Sequence, residues 1–171
     1  MPLKAGLNGT FREYSSTNGR YVRSSLYDEL LKNAAIVQRK AEKERAKRNE
    51  LDQRAFKSKD PFLCDVYQFI QNKMPGIVQH INENVYFPSD SKNHEVDIIC
   101  KNAIIEVKSS SRPHCLSQVK KQMEYASKRK NKQILFAPNI NSTVKQTYVN
   151  EGVKVCTTKN ELLEELKKWK L

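Results

Sequence analysis

Apolar and polar positions divide the chain into a polar start, a helical arm and a mixed core. Residues 1–24 are polar and rich in Gly, Ser, Thr and Asn, which predicts a loosely ordered lead-in. From Ser25, apolar residues recur at the three- and four-residue spacing of an amphipathic helix: Leu26, Leu30, Leu31, Ala34 and Val37. Beyond Val37 the apolar stripe fades into mixed charges of high helix propensity. We therefore expect one exposed helical arm over residues 25–58.

The charged arm has two interpretations that the sequence leaves open. A helix of mixed charge is typical of a solvated spacer or of a weak self-association helix, and self-association would make the protein a homo-oligomer. Its many lysine and arginine residues would also suit a basic arm that lies along nucleic acid.

A new pattern begins at residue 59 and predicts a domain over residues 59–171. Asp60 and Pro61 suit the N-cap and the first turn of a helix, which residues 74–76, Met-Pro-Gly, would end. Strands and helices are then predicted in alternation: strands at 77–87, 95–100 and 103–109, a helix at 113–130, a strand at 133–137, a helix at 142–150, a strand at 153–156 and a helix from 159. This order predicts an α/β fold, with a mixed sheet flanked by helices and an N-terminal helical arm.

The net charge narrows the class of partner. Lysine and arginine number 31 against 19 acidic residues, which gives a formal charge of +12. Such a balance favours a polyanionic partner, either nucleic acid or an acidic membrane surface. No apolar run is long enough to cross a bilayer, and no apolar leader segment follows Met1. We therefore expect no membrane-spanning segment, and a location in the cytoplasm.

The cysteines and histidines do not predict a zinc site. The four cysteines are widely scattered, no two of them form a CxxC pair, and the three histidines do not cluster. Cys64, Cys100 and Cys156 lie within apolar patterns, which predicts buried thiols. Scattered cysteines with buried thiols favour a reducing compartment.

The candidate chemistry is concentrated in the segment HEVDIICKNAIIEVKSS. A two-residue turn at residues 101–102, whose Asn tolerates positive φ, would join two antiparallel strands. In that pairing Asp97 lies opposite Glu106, and Glu95 lies opposite Lys108. One face of the hairpin is apolar and is predicted to be buried: Val96, Ile98, Cys100, Ala103, Ile105 and Val107. The other face gathers the four ionisable side chains into one patch.

Natural strands seldom accept two carboxylates that face each other across a hairpin unless a cation lies between them. Directly opposed Cβ atoms lie roughly 4.5–5.5 Å apart, so Asp97 and Glu106 would otherwise repel each other. Mg²⁺, or Mn²⁺ in its place, takes carboxylate, water and phosphate oxygens, and it would polarise a phosphodiester and activate a bound water. Lys108 could orient that water or offset charge on the reacting phosphate. The alternative is an ordinary polar sheet face, on which the two acids form salt bridges with Lys108.

The motif EVD followed by EVK, set in this order of helices and strands, resembles the PD-(D/E)xK nuclease superfamily. The resemblance covers residues 60–156, and Val96 stands where the family name has proline. It implies a restriction endonuclease-like core and a Mg²⁺-dependent endonuclease, a hydrolase of phosphodiester bonds. It also implies that Asp97, Glu106 and the carbonyl of Val107 bind the metal and that Lys108 is catalytic.

Further site residues follow from the same resemblance. Related nucleases carry another acid, for which Asp65 on the first core helix and Glu95 are the candidates. The helix at 113–130 is similar to a superfamily helix whose glutamine, here Gln122, holds the lysine or the scissile phosphate. Polar and basic residues in and before this helix are candidate nucleic-acid contacts: Ser109, Arg112, Lys120, Lys121, Tyr125 and Lys128. An ordinary solvated helix face is the alternative for these.

Several biological settings remain open for a nuclease of this size. A bacterial toxin domain, delivered into a target cytoplasm and paired with an inhibitor protein, and a phage or mobile-element nuclease both fit, and DNA is the preferred substrate over RNA. A restriction enzyme fits less well, because little chain remains for target recognition. The alternative function is a non-catalytic, basic nucleic-acid-binding protein with a nuclease-like fold. A structural module assembled through the charged helix is a third interpretation.

Overall fold

The computed structural model describes residues 4–5, 11–14, 21–23, 25–89 and 91–168. The chain divides into two compact units, Met1–Lys47 and Arg48–Leu171. Across the described ranges, every helix is too short or too polar to cross a membrane.

The first unit combines a small sheet with most of a long helix. Strands β1 (Lys4–Ala5), β2 (Phe11–Tyr14) and β3 (Tyr21–Arg23) form an antiparallel sheet in that order. The sequence did not predict these strands within the lead-in at residues 1–24, and the rest of that segment lies outside the described residues. Helix α1 (Ser25–Lys57) begins where the apolar periodicity predicted it and ends one residue before the predicted boundary.

The last turns of α1 belong to the second unit. Residues 29–50 are exposed, in agreement with the predicted arm. Leu51 and Ala55, however, are each only 4% exposed and pack into the core of the second unit. The prediction of an exposed arm is therefore wrong for these turns, because two apolar side chains four residues apart share a helix face that covers the core.

The second unit is a five-stranded mixed sheet with four further helices. Its strands are β4 (Val78–Phe87), β5 (Lys92–Cys100), β6 (Ala103–Val107), β7 (Lys132–Phe136) and β8 (Lys154–Cys156). They lie in sequence order, with antiparallel pairing from β4 to β6 and parallel pairing from β6 to β8. The helices are α2 (Pro61–Lys73), α3 (Leu116–Lys128), α4 (Ser142–Asn150) and α5 (Lys159–Lys167).

Helices cover both faces of this sheet. Helices α2 and α5 and the end of α1 pack on one face, around the core residues Ile98, Ile105 and Phe136. Helices α3 and α4 pack on the other face, in two clusters built around Leu135 and Ile104. The predicted α/β fold, a mixed sheet flanked by helices, is confirmed.

Most predicted boundaries of helices and strands agree with the structure to within three residues.

The turn at residues 101–102 is stabilised in a different way from the one expected. Asn102 does not adopt positive φ. Its side-chain Nδ2 instead donates a 2.8 Å hydrogen bond to the carbonyl of Leu166 in α5. The turn is thus held by a distant helix rather than by a left-handed backbone.

The cysteine predictions hold in part. The four cysteines, all within the described residues, carry free thiols. Cys100 and Cys156 are buried as expected, whereas Cys64 is only half-buried.

We expect Asp60→Ala to destabilise the second unit. Asp60 Oδ1 accepts hydrogen bonds from the backbone N–H groups of Phe62, at 2.9 Å, and Leu63, at 3.1 Å. Loss of such an N-cap costs about 1 kcal/mol, or roughly 2–4 °C in the midpoint of thermal unfolding for a chain of this size. Circular dichroism melting would measure the loss. Asp60→Ser should retain most of the stability, and an unchanged midpoint for the alanine variant would contradict the expectation.

Candidate active site

The β5–β6 hairpin has the register that the sequence predicted. Ile98 lies opposite Ile105, and Ile99 lies opposite Ile104. The same register places Asp97 opposite Glu106. Five of the six residues predicted on the apolar face are buried in the core beneath α2 and α5, namely Ile98, Cys100, Ala103, Ile105 and Val107. The prediction is wrong for Val96, which is buried in the cluster of Ile99 and Ile104 on the α3 side. Both carboxylates therefore lie on the side of the hairpin that faces α3.

Lys108 joins the two carboxylates into one cluster. Glu106 is fully buried, and its Oε1 lies 2.6 Å from Nζ of Lys108. The same ammonium lies 3.7 Å from Oδ2 of Asp97, which also accepts a 2.7 Å hydrogen bond from the backbone N–H of Val107. Among the described residues, no hydrogen bond of regular geometry reaches Oε1 of Glu106. The ion pair with Lys108 is thus the contact that compensates this buried oxygen.

Helix α3 holds the second oxygen of Glu106. Gln122 is fully buried where α3 packs on the sheet, and its Nε2 donates a 2.6 Å hydrogen bond to Oε2 of Glu106. Gln133 of β7 contacts Gln122 in turn, and its Nε2 lies 3.5 Å from Oε1 of Gln122. This contact favours the amide orientation in which Gln122 donates to Glu106.

Sequence reasoning identified Gln122 but missed Gln133. Gln133 is 6% exposed, and it stands beside the buried apolar residues Ile134 and Leu135. A single amide in an otherwise apolar strand was the available signal, because a buried polar group needs a hydrogen-bond partner.

The electrostatics of the cluster follow from its burial. Burial, together with the charge of Glu106, raises the pKa of Asp97 to about 6, against the opposing effects of Lys108 and the Val107 N–H. For Lys108, burial lowers the pKa, but the charges of Asp97 and Glu106 outweigh it and the net pKa is raised. Lys108 is therefore an ammonium at neutral pH, beside a carboxylate that resists ionisation.

The two candidate additional acids lie in different surroundings. The β5–β6 pairing stops short of Glu95 and Lys108, and the Lys108 N–H donates instead to the carbonyl of Phe136 in β7. Glu95 is exposed, and its negative charge contributes to the raised pKa of Asp97. Asp65 is exposed on α2, with its oxygens 2.7 Å from Nζ of Lys159. Asp65 therefore lies on the sheet face opposite α3, away from the cluster.

The predicted nucleic-acid contacts lie on α3 and in the loop after β6, and three of them contact residues outside the cluster. Lys120 pairs with Glu151 at 2.5 Å, and Lys128 pairs with Glu124 at 2.8 Å. Tyr125 packs edge-on against Phe87. The other candidates are Ser109 and Arg112, exposed in the loop after β6, and Lys121, half-buried on α3.

The donor set suits one hard divalent cation. The carboxylates of Asp97 and Glu106 lie side by side, and Glu106 Oε1 is a buried anionic oxygen whose contact is an exchangeable ammonium. Within the part of the chain that the structure describes, no group of three or more His, Cys, Asp and Glu side chains is placed to hold a metal. Mg²⁺ in proteins usually takes one or two carboxylates and keeps several waters, so Asp97 and Glu106 could serve as its protein ligands.

Comparison with known proteins identifies no relative of this chain. No family model, no curated protein and no solved structure matches it. The function must therefore be inferred from the geometry around Asp97, Glu106 and Lys108.

We expect Asp97→Asn to stabilise the metal-free protein at high pH. A raised pKa means that the folded state holds the Asp97 proton more tightly than the unfolded state does. The stability from this proton is complete below about pH 4, the usual range for an aspartate, and is lost as the pH rises through about 6. Asparagine stays neutral, so the variant should melt roughly 3 °C or more above the wild type at pH 8, and close to it at pH 4.

Thermal unfolding in EDTA across this pH range tests the sign of the effect. Glu124→Gln, which removes an exposed carboxylate on α3, is the matched control and should show no comparable gain at pH 8. A lower melting point for Asp97→Asn at pH 8 would mean that the charged carboxylate stabilises the fold.

We expect Gln122→Leu to destabilise the protein by about 1–3 kcal/mol, because it leaves a buried oxygen of Glu106 without its donor. Gln118→Leu, on the same helix, removes only a long 3.4 Å contact to the carbonyl of Glu95 and should cost less. Denaturant unfolding of both variants measures the difference. Equal losses would show that Gln122 contributes no more than a surface glutamine.

Proposed function

We propose that the chain is a metal-dependent nuclease that hydrolyses phosphodiester bonds in nucleic acid, and that its second unit is a restriction endonuclease-like core of the PD-(D/E)xK type. The observation that carries this proposal is the meeting of Asp97, Glu106 and Lys108 on one side of a hairpin, with Glu106 fully buried. Two carboxylates held this close, one of them fully buried, repel each other unless a cation lies beside them, and a bound metal would add to the charge that Lys108 supplies.

Asp97, Glu106 and the carbonyl of Val107 would hold the cation, which we take to be Mg²⁺, with Mn²⁺ as its substitute. A bound divalent ion polarises a phosphodiester and lowers the pKa of a bound water. Because Asp65 pairs with Lys159 on the other face of the sheet, the site offers ligands for one ion rather than two. The Val107 N–H bond holds the Asp97 carboxylate beside Glu106.

Lys108 and Gln122 prepare the site in different ways. Since its pKa is raised, Lys108 acts as a fixed positive charge that can stabilise negative charge on the reacting phosphate. Gln122 keeps Oε2 of Glu106 occupied, which leaves Oε1 as the oxygen for the cation.

The positive charge of the chain supports the proposal of a polyanionic substrate. The chain carries a formal charge of +12, and α3, which contacts Glu106 through Gln122, also carries the exposed residues Lys120 and Lys128. Phosphate contacts from such residues position a strand without reading its sequence. We propose DNA as the preferred substrate over RNA.

We expect cleavage of plasmid DNA, single-stranded DNA or total tRNA in Mg²⁺ or Mn²⁺, and none in EDTA. Asp97→Asn, Glu106→Gln and Lys108→Ala should each lower the cleavage rate about 100-fold or more, since each removes a group needed in the transition state. Gel analysis of a time course measures the rates on each substrate.

Asp65→Asn is the matched control for the acidic variants, because it neutralises an aspartate of the same unit outside the cluster. It should cleave at the wild-type rate. Cleavage that persists in EDTA, or that survives both Asp97→Asn and Glu106→Gln, would rule out this active site.

A second candidate is a non-catalytic nucleic-acid-binding protein with the same fold. It is favoured by the 2.6 Å contact through which Lys108 already neutralises Glu106 without a metal. In that case Mg²⁺ would not raise the melting temperature, and nucleic acid would bind equally to the wild type and to Asp97→Asn. A nuclease should instead be stabilised by Mg²⁺ in the wild type and not in Asp97→Asn.

A further inference from the structure

Lysine residues from several segments meet at one end of the five-stranded sheet, where β5 stops and where β6, β7 and β8 begin. Lys132 opens β7 opposite Ala103 of β6, and its backbone N–H donates to the carbonyl of Asn102. Lys154 opens β8 opposite Ile134 of β7. The parallel pairing of these strands therefore brings both lysines to the same edge of the sheet.

A buried glutamate of α5 fixes the ammonium groups of these lysines. Glu165 is 5% exposed, and its Oε1 lies 2.9 Å from Nζ of Lys154 and 2.7 Å from Nζ of Lys168. Its Oε2 lies 3.7 Å from Nζ of Lys132. The hydrogen bonds from Lys168 and Lys154 lower the pKa of Glu165 to about 2, so the carboxylate is charged at neutral pH. One carboxylate thus holds lysines from β7, from β8 and from the end of α5.

Further lysines lie around this group and are exposed to solvent. They come from the turn after β5, the turn after α3 and the last turn of α5: Lys101, Lys130 and Lys167. The side chain of Asn102 ties the first of these turns to α5 through the carbonyl of Leu166. Positive charge remains in excess here even when Glu164, exposed on α5, is counted beside Glu165. We call this group of residues the lysine surface: Lys101, Lys130, Lys132, Lys154, Lys167 and Lys168.

The chemistry of the lysine surface suits phosphate groups, which a lysine ammonium binds as a point charge. Leu162 and Leu166 of α5 are buried in the core. Among the described residues, the large exposed apolar side chains lie on α1, β4 and α4 instead. A helix that lies on a membrane presents such side chains together with its lysines. The backbone of nucleic acid is therefore the polyanion that fits this surface better.

The lysine surface and the acidic cluster lie at opposite ends of β6. Ala103, at the start of β6, lies beside Lys132, whereas Val107, at its end, directly precedes Lys108. Four residue steps along a strand span roughly 13 Å. Phosphates bound at the lysine surface are therefore separate from a phosphate bound at Asp97 and Glu106.

We propose that the lysine surface binds the sugar-phosphate backbone of nucleic acid, without reading its sequence, at a place separate from the acidic cluster. Glu165 fixes several of the ammonium groups beforehand, so less side-chain freedom is lost when the phosphates bind. Backbone contacts of this kind position a nucleic acid on a protein. Binding at the lysine surface stands on charge and placement, whereas its part in holding a strand for cleavage rests on the proposed nuclease function.

The test is the salt dependence of the affinity of the full-length chain for a fluorescent DNA duplex, measured by anisotropy in EDTA. Each phosphate that a lysine neutralises contributes about 0.9 to the slope of log K against log salt concentration. The triple variant Lys101→Gln, Lys130→Gln and Lys167→Gln leaves the ion pairs of Glu165 intact. It should lower the magnitude of this slope by about 2–3 and weaken binding at low salt about tenfold or more. Its melting temperature should equal that of the wild type, because the three side chains are exposed.

The matched control is the triple variant Lys57→Gln, Lys59→Gln and Lys92→Gln, which removes the same charge from exposed positions of the second unit outside the lysine surface. It should keep the wild-type slope and affinity. A wild-type slope in the first variant, or equal losses in both, would overturn the lysine surface even if Mg²⁺-dependent cleavage is found. A loss confined to the first variant would support it even if no cleavage occurs.

Vesicles that contain phosphatidylserine are the second probe, because an anionic membrane presents phosphates as well. The first variant should bind these vesicles as the wild type does. If it loses vesicle binding and keeps DNA binding, the lysine surface contacts a membrane and the proposal is wrong.

Discussion

The buried carboxylate of Glu106 is the constraint around which the second unit is organised. A fully buried anion is costly unless each oxygen has a partner. Lys108 faces one oxygen and Gln122 donates to the other. These contacts fix the position of the β6 end and of α3 relative to each other. Asp97 places a second carboxylate beside this anion, which is a destabilising arrangement that Lys108 partly offsets.

The change of direction within the sheet assembles the cluster. Strand β6 pairs antiparallel with β5 and parallel with β7, so it lies between a hairpin partner and a crossover partner. The hairpin places Asp97 opposite Glu106 over a short loop. The parallel crossover places α3 over the same face and brings Gln133 behind Gln122. The β5–β6 hairpin and the β6–β7 crossover thus both place side chains at the same end of β6.

Charge is distributed in a way that fits the proposed chemistry. Glu106 is fully buried and Asp97 is half-buried, while Lys120 and Lys128 on α3 form ion pairs with glutamates at the surface. In the proposed function, an arriving phosphate would meet the Lys108 ammonium at the cluster.

The sequence alone determined the order of elements in the second unit, the hairpin register and the meeting of Asp97 with Glu106, because alternation along strands and a two-residue turn are local properties. The tertiary structure decided the rest. Asp65 was a candidate acid because it lies on the first core helix, but it forms an ion pair with Lys159 of α5. Gln133 joins the cluster only because a parallel crossover carries β7 beside β6. Contacts between segments distant in sequence depend on packing, which local patterns do not encode.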